Sequence, residues 1–414
     1  MPKSAVVVIL MQNNFKFNDI ARTHGHINYD HFIKLPPMIP FDDEVVAYLN
    51  SLSRVLNKDP RTRAYPDVAT FSFFCRRSNI LQIKKKLDRD DEIKLGRGIL
   101  FHIAPSNVPV NFAYSLVAGL LSGNSNIVRI PSKNFDQVEI IIDAINSIAE
   151  KGEYPLVSER VVLVTYARSH IATKHFSSIC DVRIVWGGDE TIRQIRENTL
   201  QPRAFDITFA DRYSICLINA ESFIDESEPD EIASGFFNDT YLFDQNACTS
   251  PHLVLWVGSN DQVGKAQQLF WGSLKNIVDA NYNVQPVIAV DKLTSFFNQA
   301  IRMKNISLVN KSDNLLWRVT LNELSSNIDD FRCNSGYFSE YHVKNIEELS
   351  SVINKKYQTL AYYGFSKEYL AGLIDQLKPA GIDRIVPIGR TTDFSLIWDG
   401  YNLINTLSRI IEIN

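Results

Sequence analysis

Gly98-Ile99-Leu100-Phe101-His102-Ile103-Ala104, then Pro105-Ser106-Asn107-Val108-Pro109, then Val110 to Leu121, is the stretch that decides the fold. An apolar run of strand length meets a Pro- and Ser/Asn-bearing turn, and a mostly apolar helix follows. Gly123-Asn124 ends that helix, as glycine and asparagine commonly do. Asn126-Ile127-Val128-Arg129-Ile130 is the next strand, closed by Pro131-Ser132. Phe135 to Glu150 has helical periodicity, and Arg160 to Thr165 and Val182 to Trp186 are further strands. Strand and helix alternating at this rhythm predict an α/β unit with a parallel sheet and right-handed crossovers.

Sheets of this kind bind ligands outside the carboxyl ends of their strands. Three loops fall there. Ser106 or Asn107 is expected at a helix N-terminus, where backbone N–H groups favour a negative atom. Arg129, Pro131 and Ser132 put a cation and a hydroxyl at the next strand end. Gly187 and Gly188, between a strand and a helix, let a backbone approach a dinucleotide. This is no GxGxxG fingerprint, and a Gly-Gly turn by itself is more often just a tight turn.

Toward the N-terminus, residues 1–40 give a short strand, a polar loop and a linker bearing Pro36, Pro37 and Pro40. Residues 41–95 are expected to be helical. Val45, Val46, Leu49, Leu52 and Leu56 recur at helical spacing behind the acidic start Asp42-Asp43-Glu44. A second helix is expected from Pro66 to Leu87, then a charged turn from Arg89 to Glu92.

Toward the C-terminus a new segment begins after Asp211, with a strand at Ile215 to Ile218. Phe243-Asp244-Gln245-Asn246-Ala247-Cys248-Thr249-Ser250-Pro251 is a loop, because its residues are those of turns. Leu253 to Val257 follows as a buried strand. A thiol held on a short loop before a rigid strand is a sound way to present a nucleophile. Most free cysteines are small apolar fillers, so the loop alone leaves both readings open. His252 could be offered as a Cys–His partner, but it is expected to pack structurally. Residues 381–389 form a strand and turn, and Trp398-Asp399-Gly400-Tyr401 leads into a closing amphipathic helix with Leu403, Leu407, Ile410 and Ile411.

The totals bound the classes. The chain has 414 residues, more than one ordinary core accommodates. Hydrophobic residues are 45% and charged residues 22%, as in ordinary globular proteins. The net charge of −4, with mixed signs and no basic face, argues against a dedicated nucleic-acid binder. The five cysteines at 75, 180, 216, 248 and 333 form no CxxC pair, so neither a disulfide framework nor a zinc knuckle is expected. His24, His26 and His31 cluster without a Cys or HExxH pattern and are read as surface or loop residues, so no metal is expected. Ala5 to Met11 is an apolar run without a cleavage site, and no stretch approaches the roughly 18 residues of a membrane span. A cytoplasmic protein is the expectation.

Several long motifs carry a family resemblance. They are HIAPSNVPVNFAYSLVAGLLSGNSNIVRIPSK (102–133), VWGGDETI (185–192), FDQNACTSP (243–251), DRIVPIG (383–389) and LIWDGYNLI (396–404), with PDVATFSFFCRRSNI (66–80) and QTLAYYGF (358–365) beside them. The chain resembles the long-chain acyl-CoA reductases of the bacterial bioluminescence fatty-acid-reductase type, within the aldehyde dehydrogenase-like superfamily. The resemblance implies a Rossmann-type parallel-sheet cofactor domain and an α/β catalytic domain. The implied division is an N-terminal region at 1–95 packing on the cofactor domain, the dinucleotide-binding domain at 96–212, the catalytic domain at 213–385, and a closing segment at 386–414 that returns to the cofactor domain or to an oligomer interface. It implies Cys248 as the acylated nucleophile and Asn107 as the oxyanion-hole donor. Ser106, Arg129, Pro131, Ser132, Gly187 and Gly188 become cofactor residues, although the superfamily's strand-end motif has a lysine where Ile130 stands.

NADPH is the implied cofactor, with Arg129 suited to a 2′-phosphate. The donor would be an acyl-CoA or other acyl thioester, with an acyl-protein synthetase partner and a homo-oligomer expected. Ile207 to Arg212, where hydrolytic aldehyde dehydrogenases carry their general-base glutamate, has none, which favours reduction over aldehyde oxidation. Asp211 is expected to be structural. A Cys248 acyltransferase or thioesterase, a non-acylating aldehyde dehydrogenase and a non-enzymatic scaffold are the alternatives.

Overall fold

The computed structural model describes residues 20–23, 28–87, 92–167, 171–226, 228–309 and 314–413. The expected strand at Ala5 to Met11, His24, His26 and the charged turn from Arg89 lie outside the described residues. The chain divides into two units, residues 1–210 with 401–414, and residues 211–400.

In the first unit, α1 (Asp43–Lys58) starts where the Asp42 side chain accepts the Glu44 N–H, and it buries Val45, Val46, Leu49, Leu52 and Leu56. The helix expected from Pro66 to Leu87 is two, α2 (Pro66–Phe74) and α3 (Arg77–Leu87). The break at Cys75 and Arg76 is held by the Asn79 amide, which donates to Phe74 O at 2.8 Å and supplies a partner to a carbonyl the helix end leaves open. Then follow β1 (Ile93–Gly96), β2 (Ile99–Ile103), α4 (Asn111–Leu121), β3 (Ser125–Arg129), α5 (Asp136–Lys151), β4 (Val161–Val164), α6 (Ala172–Ile179), β5 (Val182–Trp186), α7 (Asp189–Arg196) and β6 (Phe205–Phe209).

Strands β2 to β6 form one sheet in the order β4-β3-β2-β5-β6, every pair parallel. Both faces are covered, so β2 is buried along its whole length, as crossover helices on both sides require. Ile99, Phe101 and Ile103 face a core shared with Val162, Val164, Phe176 and Ile192.

The opposite face carries a buried polar chain. Trp186 Nε1 donates to Ser115 Oγ at 3.1 Å, and Ser115 Oγ lies 2.7 Å from His102 Nδ1. His102 Nε2 is 3.0 Å from Asn126 Oδ1, while Asn126 Nδ2 donates to Asn124 O at 2.7 Å. The Asn126 amide nitrogen is thus committed elsewhere, so His102 carries its proton on Nε2 and accepts from Ser115 at Nδ1. Gly119 is required here, since a Cβ would sit 1.8 Å from Asn126 Oδ1.

Burial pushes the His102 pKa down to about 4. The folded imidazole therefore resists a proton that the unfolded chain accepts near pH 6.5, and stability is lost as pH falls from about 6.5 toward 4. We expect the first unit to lose up to about 1.4 kcal/mol per pH unit in that window, read as a roughly tenfold fall in amide-exchange protection of residues 99–103 per pH unit. A pH-independent protection after correction for intrinsic exchange contradicts this.

The second unit contains β7 (Tyr213–Asn219), α8 (Pro229–Thr240), β8 (Pro251–Val257), α9 (Asn260–Asn281), α10 (Val287–Arg302), β9 (Ile306–Val309), β10 (Trp317–Leu321), β11 (Tyr337–Val343), β12 (Tyr357–Tyr363), α11 (Lys367–Leu377) and β13 (Arg384–Pro387). Its sheet runs β13-β12-β7-β8-β11-β10-β9, with β9 antiparallel at one edge. Period-two alternation sends Ile215, Leu217, Leu253 and Leu255 into one core and Cys216, Ile218, Val254 and Trp256 into the other. Residues 386–400, grouped with the closing segment in the sequence reading, lie in this unit.

Residues 401–413 belong to the first unit. The closing amphipathic helix expected through Ile411 is replaced by α12 (Leu403–Leu407) and β14 (Ser408–Ile411). β14 pairs antiparallel with β1, Ile93 opposite Ile411. Leu403, Ile404 and Leu407 are buried, and Arg97 Nε donates to Thr406 O at 2.7 Å, so the segment is held within its own unit.

Candidate functional site

The loop carrying Cys248 is shaped by its own backbone. After α8, Asp244 and Gln245 both adopt left-handed φ values, 50° and 58°, which turns the chain sharply. Gln245 is 1% exposed and uses both ends of its amide. Nε2 donates to Pro251 O and Tyr337 O, each at 3.0 Å, and Oε1 accepts the N–H groups of Gly336 at 2.9 Å and Tyr337 at 3.0 Å. One buried side chain thus clamps the loop to β8 and β11. Ser250 Oγ adds a bond to Asp239 O at 2.7 Å, and the Asp239 carboxylate accepts from the N–H groups of Gly389 at 2.6 Å and Thr391 at 3.0 Å. Gln245→Leu should cost about 2–3 kcal/mol of stability in urea unfolding, because it orphans two buried N–H and two buried carbonyl groups. It should also raise the rate at which Cys248 reacts with a disulfide reagent.

Cys248 itself is half-buried, whereas Cys75, Cys180 and Cys216 are fully buried. Ser214 Oγ donates to Cys248 O at 2.7 Å and accepts the Thr359 N–H at 3.2 Å. Burial pushes the Cys248 thiol up to about 12, and the nearby Asp399 charge acts in the same direction. A hydrogen bond from the Gln358 side chain, the Arg212 charge and the Cys248 backbone N–H act against it.

The surroundings come from the amino-terminal ends of three strands: Arg212 and Ser214 at β7, Gln358 and Thr359 at β12, and Asp383 and Arg384 at β13. The Gln358 amide donates to Asp399 Oδ1. Arg212 pairs with Asp383, and its Nε is 3.5 Å from Asp399 Oδ2. None of these residues was singled out as functional from the sequence. Ordinary strand ends give no local signal of the partners they will meet.

His252 is buried and stacks on Tyr213, ring centroids 5.7 Å apart and planes 22° apart. Burial pushes its pKa down to about 3, so it is a packed neutral ring. Asp211 receives a hydrogen bond from Arg332 as half of an ion pair.

In the first unit, the sheet order places a topological switch between β2 and β5, the crevice where open α/β sheets take dinucleotides. The loop from Ala104 to Pro109 leaves one flanking strand, and Gly187 and Gly188 leave the other. Ser106 and Asn107 are exposed; the N-cap of α4 is Val110, so they precede the helix rather than start it. A Cβ on Gly188 would meet nothing within 4 Å, so the fold leaves open space at that backbone, which fits the approach of a ligand. Against a pyrophosphate stand Asp189 and Glu190 in the first turn of α7. Arg129, at the end of β3, lies over the Tyr166 ring at 4.8 Å and donates to Tyr166 O at 3.2 Å. Pro131 is buried and Ser132 exposed in the loop that follows. The switch point and the open backbone at Gly188 leave room for a dinucleotide.

Among the described residues no group of three His, Cys, Asp or Glu side chains could hold a metal ion, and no helix is long and apolar enough to cross a membrane. His31 Nε2 lies 3.1 Å from Glu159 Oε2 at the surface.

The fold is aldehyde dehydrogenase-like. The 1-pyrroline-5-carboxylate dehydrogenase of Thermus thermophilus matches with a TM-score of 0.65 and 14% identity, covering 92% of this chain and 83% of its own. An NAD-dependent benzaldehyde dehydrogenase from Corynebacterium glutamicum matches with a TM-score of 0.61 and 12% identity, covering 92% and 86%. Within that class the family model described as Acyl-CoA reductase (LuxC) matches residues 31–410, and the chain belongs to this family. Curated relatives include the long-chain acyl-protein thioester reductases of Aliivibrio fischeri, 23% identical over 72% of this chain, and Photobacterium phosphoreum, 24% identical over 76%. The matches span 60% and 62% of those relatives' own length.

Proposed function

We propose that the protein reduces a long-chain fatty acyl thioester to the aldehyde through an acyl group carried on Cys248. The observation that carries this is the half-buried thiol on a loop clamped by Gln245, in a chain of the acyl-CoA reductase family. The Cys248 sulfur attacks the acyl carbonyl, a new thioester forms, and the donor thiol leaves. Negative charge on the carbonyl oxygen needs N–H donors, for which we propose the Cys248 backbone N–H and the Asn107 carboxamide, each typically worth roughly 3–4 kcal/mol. A reduced nicotinamide dinucleotide supplies a hydride, and collapse of the resulting thiohemiacetal releases aldehyde and returns the thiolate. Sulfur suits both halves, because it is a strong nucleophile and a good leaving group.

NADPH is the proposed form of the cofactor, with Ser106, Arg129, Pro131, Ser132, Gly187 and Gly188 as its contacts. The engagement of Asp211 by Arg332 supports reduction over hydrolysis, because that carboxylate is occupied. The relatives' names point to an acyl-protein as donor, and the family's description to acyl-CoA. A synthetase partner and a homo-oligomer complete the reading.

The test is intact-protein mass spectrometry after incubation with myristoyl-CoA or a myristoylated carrier protein, then addition of NADPH or NADH. An adduct discharged with aldehyde formation is expected, faster with NADPH. An adduct lost to water and indifferent to either cofactor would make the protein a hydrolase or transferase.

A further inference from the structure

Helix α10 (Val287–Arg302) is amphipathic the wrong way round. A surface helix normally turns its apolar side to the core and its polar side to water. Here Lys292 and Gln299, about two turns apart on one side, are fully buried. Lys292 Nζ donates to Asn314 O and Ser335 O, each at 2.6 Å. Gln299 Nε2 donates to Ser339 Oγ at 3.1 Å, and its Oε1 accepts from the Tyr337 hydroxyl at 2.8 Å. These bonds tie the polar side to β11 and to the loops before β10 and β11. The opposite side carries Val287, Val290, Leu293, Phe297 and Ile301, all exposed, with Val290 at 62%, Phe297 at 54% and Ile301 at 81%.

The exposed side is a seam rather than a scatter. Val287, Val290, Thr294, Phe297 and Ile301 follow one another at alternating steps of three and four residues, the spacing by which two helices pack along a shared line. Leu293 widens the seam, which runs about 21 Å along the helix. Single exposed apolar residues need no explanation, but a contiguous stripe of them marks an interaction surface. Its exposed area is on the order of 500 Å², more than half of the roughly 800 Å² per partner that a stable pair buries.

The seam is complementary to itself. In an antiparallel pair about a twofold axis, Val290 of one copy meets Ile301 of the other, and Phe297 meets Thr294, whose small side chain leaves room for the ring. One edge of the seam carries Asp291 near one end and Arg302 near the other, both exposed. Antiparallel pairing brings each Asp291 within a turn of Arg302 on the other copy, twice per pair, and opposes the helix dipoles. Parallel pairing does neither. We propose that α10 is the face at which two copies of this chain pair, antiparallel about a twofold axis. This pairing rests on the homo-oligomer of the proposed function, names the face that forms it, and is independent of the chemistry at Cys248.

The experiment is sedimentation velocity of the full chain across the micromolar range, for wild type, Phe297→Glu, Asp291→Arg, and Asp291→Arg combined with Arg302→Asp. Phe297→Glu should weaken association by at least about a hundredfold and run at half the mass of wild type, because an aromatic near the centre of the seam is lost from both copies. Asp291→Arg should weaken association about tenfold by setting like charges together, and the double exchange should restore it. All the substituted side chains are exposed, and fluorescence of the buried Trp256 and Trp271 in the same unit reports a retained fold. Loss of fold would not be reversed by the second exchange. A wild-type oligomer that every variant leaves unchanged overturns this interface and keeps the homo-oligomer, formed by another face. A wild type that is monomeric throughout overturns both and leaves the stripe to a different protein. Dissociation by Phe297→Glu without rescue by the double exchange overturns the antiparallel arrangement.

Discussion

Cys248→Ala should abolish the acyl adduct and lower aldehyde formation by at least about ten-thousandfold, because a covalent route loses its only acceptor atom. The fold should survive the change. The loop is held by Gln245, Ser250 and the Ser214 bond to the Cys248 carbonyl, none of which uses the sulfur. Stability within about 1 kcal/mol of wild type is therefore expected. Cys248→Ser is the sharper comparison. Its hydroxyl is a weaker nucleophile, and the ester it would form is a worse substrate for collapse to aldehyde, so turnover should also be lost with size and polarity nearly kept. The measurement is aldehyde production from myristoyl-CoA and NADPH, alongside urea unfolding. Activity within tenfold of wild type in the alanine variant would show that Cys248 is loop filler.

Arg318→Leu should destabilise the second unit by about 3–5 kcal/mol, the cost of leaving a buried charge without its partner. The charge is Glu340 on β11, 1% exposed in the middle of the sheet. Arg318 donates to Glu340 Oε1 from Nη2 at 2.7 Å and Nε at 3.1 Å. Oε2 accepts from Trp271 Nε1 at 2.9 Å, Gln267 Nε2 at 3.0 Å and Trp256 Nε1 at 3.2 Å. The guanidinium also lies over the Trp271 ring at 5.0 Å, so the substitution removes a cation–π contact as well. A fall in Tm of about 10 °C is the scale to expect for a unit of this size. The double variant Arg318→Leu/Glu340→Leu should recover part of the loss, because it removes the stranded charge. A single variant within about 1 kcal/mol of wild type, or a double variant worse than the sum of the singles, would contradict this account.

The candidate site was legible where chemistry is local. Cys248 sits among turn residues before an apolar run, and that pattern places it on a loop before β8 whatever the rest of the chain does. The apolar runs at Ile99–Ile103 and Val182–Trp186 likewise announce buried parallel strands. Arg212, Ser214, Gln358 and Asp399 carry no comparable signal. Arg212, Ser214 and Gln358 meet because β8, β7 and β12 lie side by side at their amino ends, an arrangement set by parallel pairing across more than a hundred residues of chain, and Asp399 joins them through Gln358 and Arg212. Gln245 looked like one more polar turn residue, and only the approach of β11 makes it a clamp.

The same division runs through the fold. Hydrophobic periodicity and turn composition by themselves determined the α/β class, strands β2 to β5, β7, β8 and β13, and the loop that presents the thiol, because each rests on interactions within a few residues. Tertiary structure decided the break at Cys75, where Asn50 of α1 accepts the Arg77 N–H at 3.2 Å and starts a new helix at a point where periodicity would have continued the first. It also decided the closing segment, where pairing of β14 with β1 outcompetes the helix that the spacing of Leu403, Leu407 and Ile411 suggests. In both places the local preferences differ by little, and hydrogen bonds to partners brought close by the fold select the outcome.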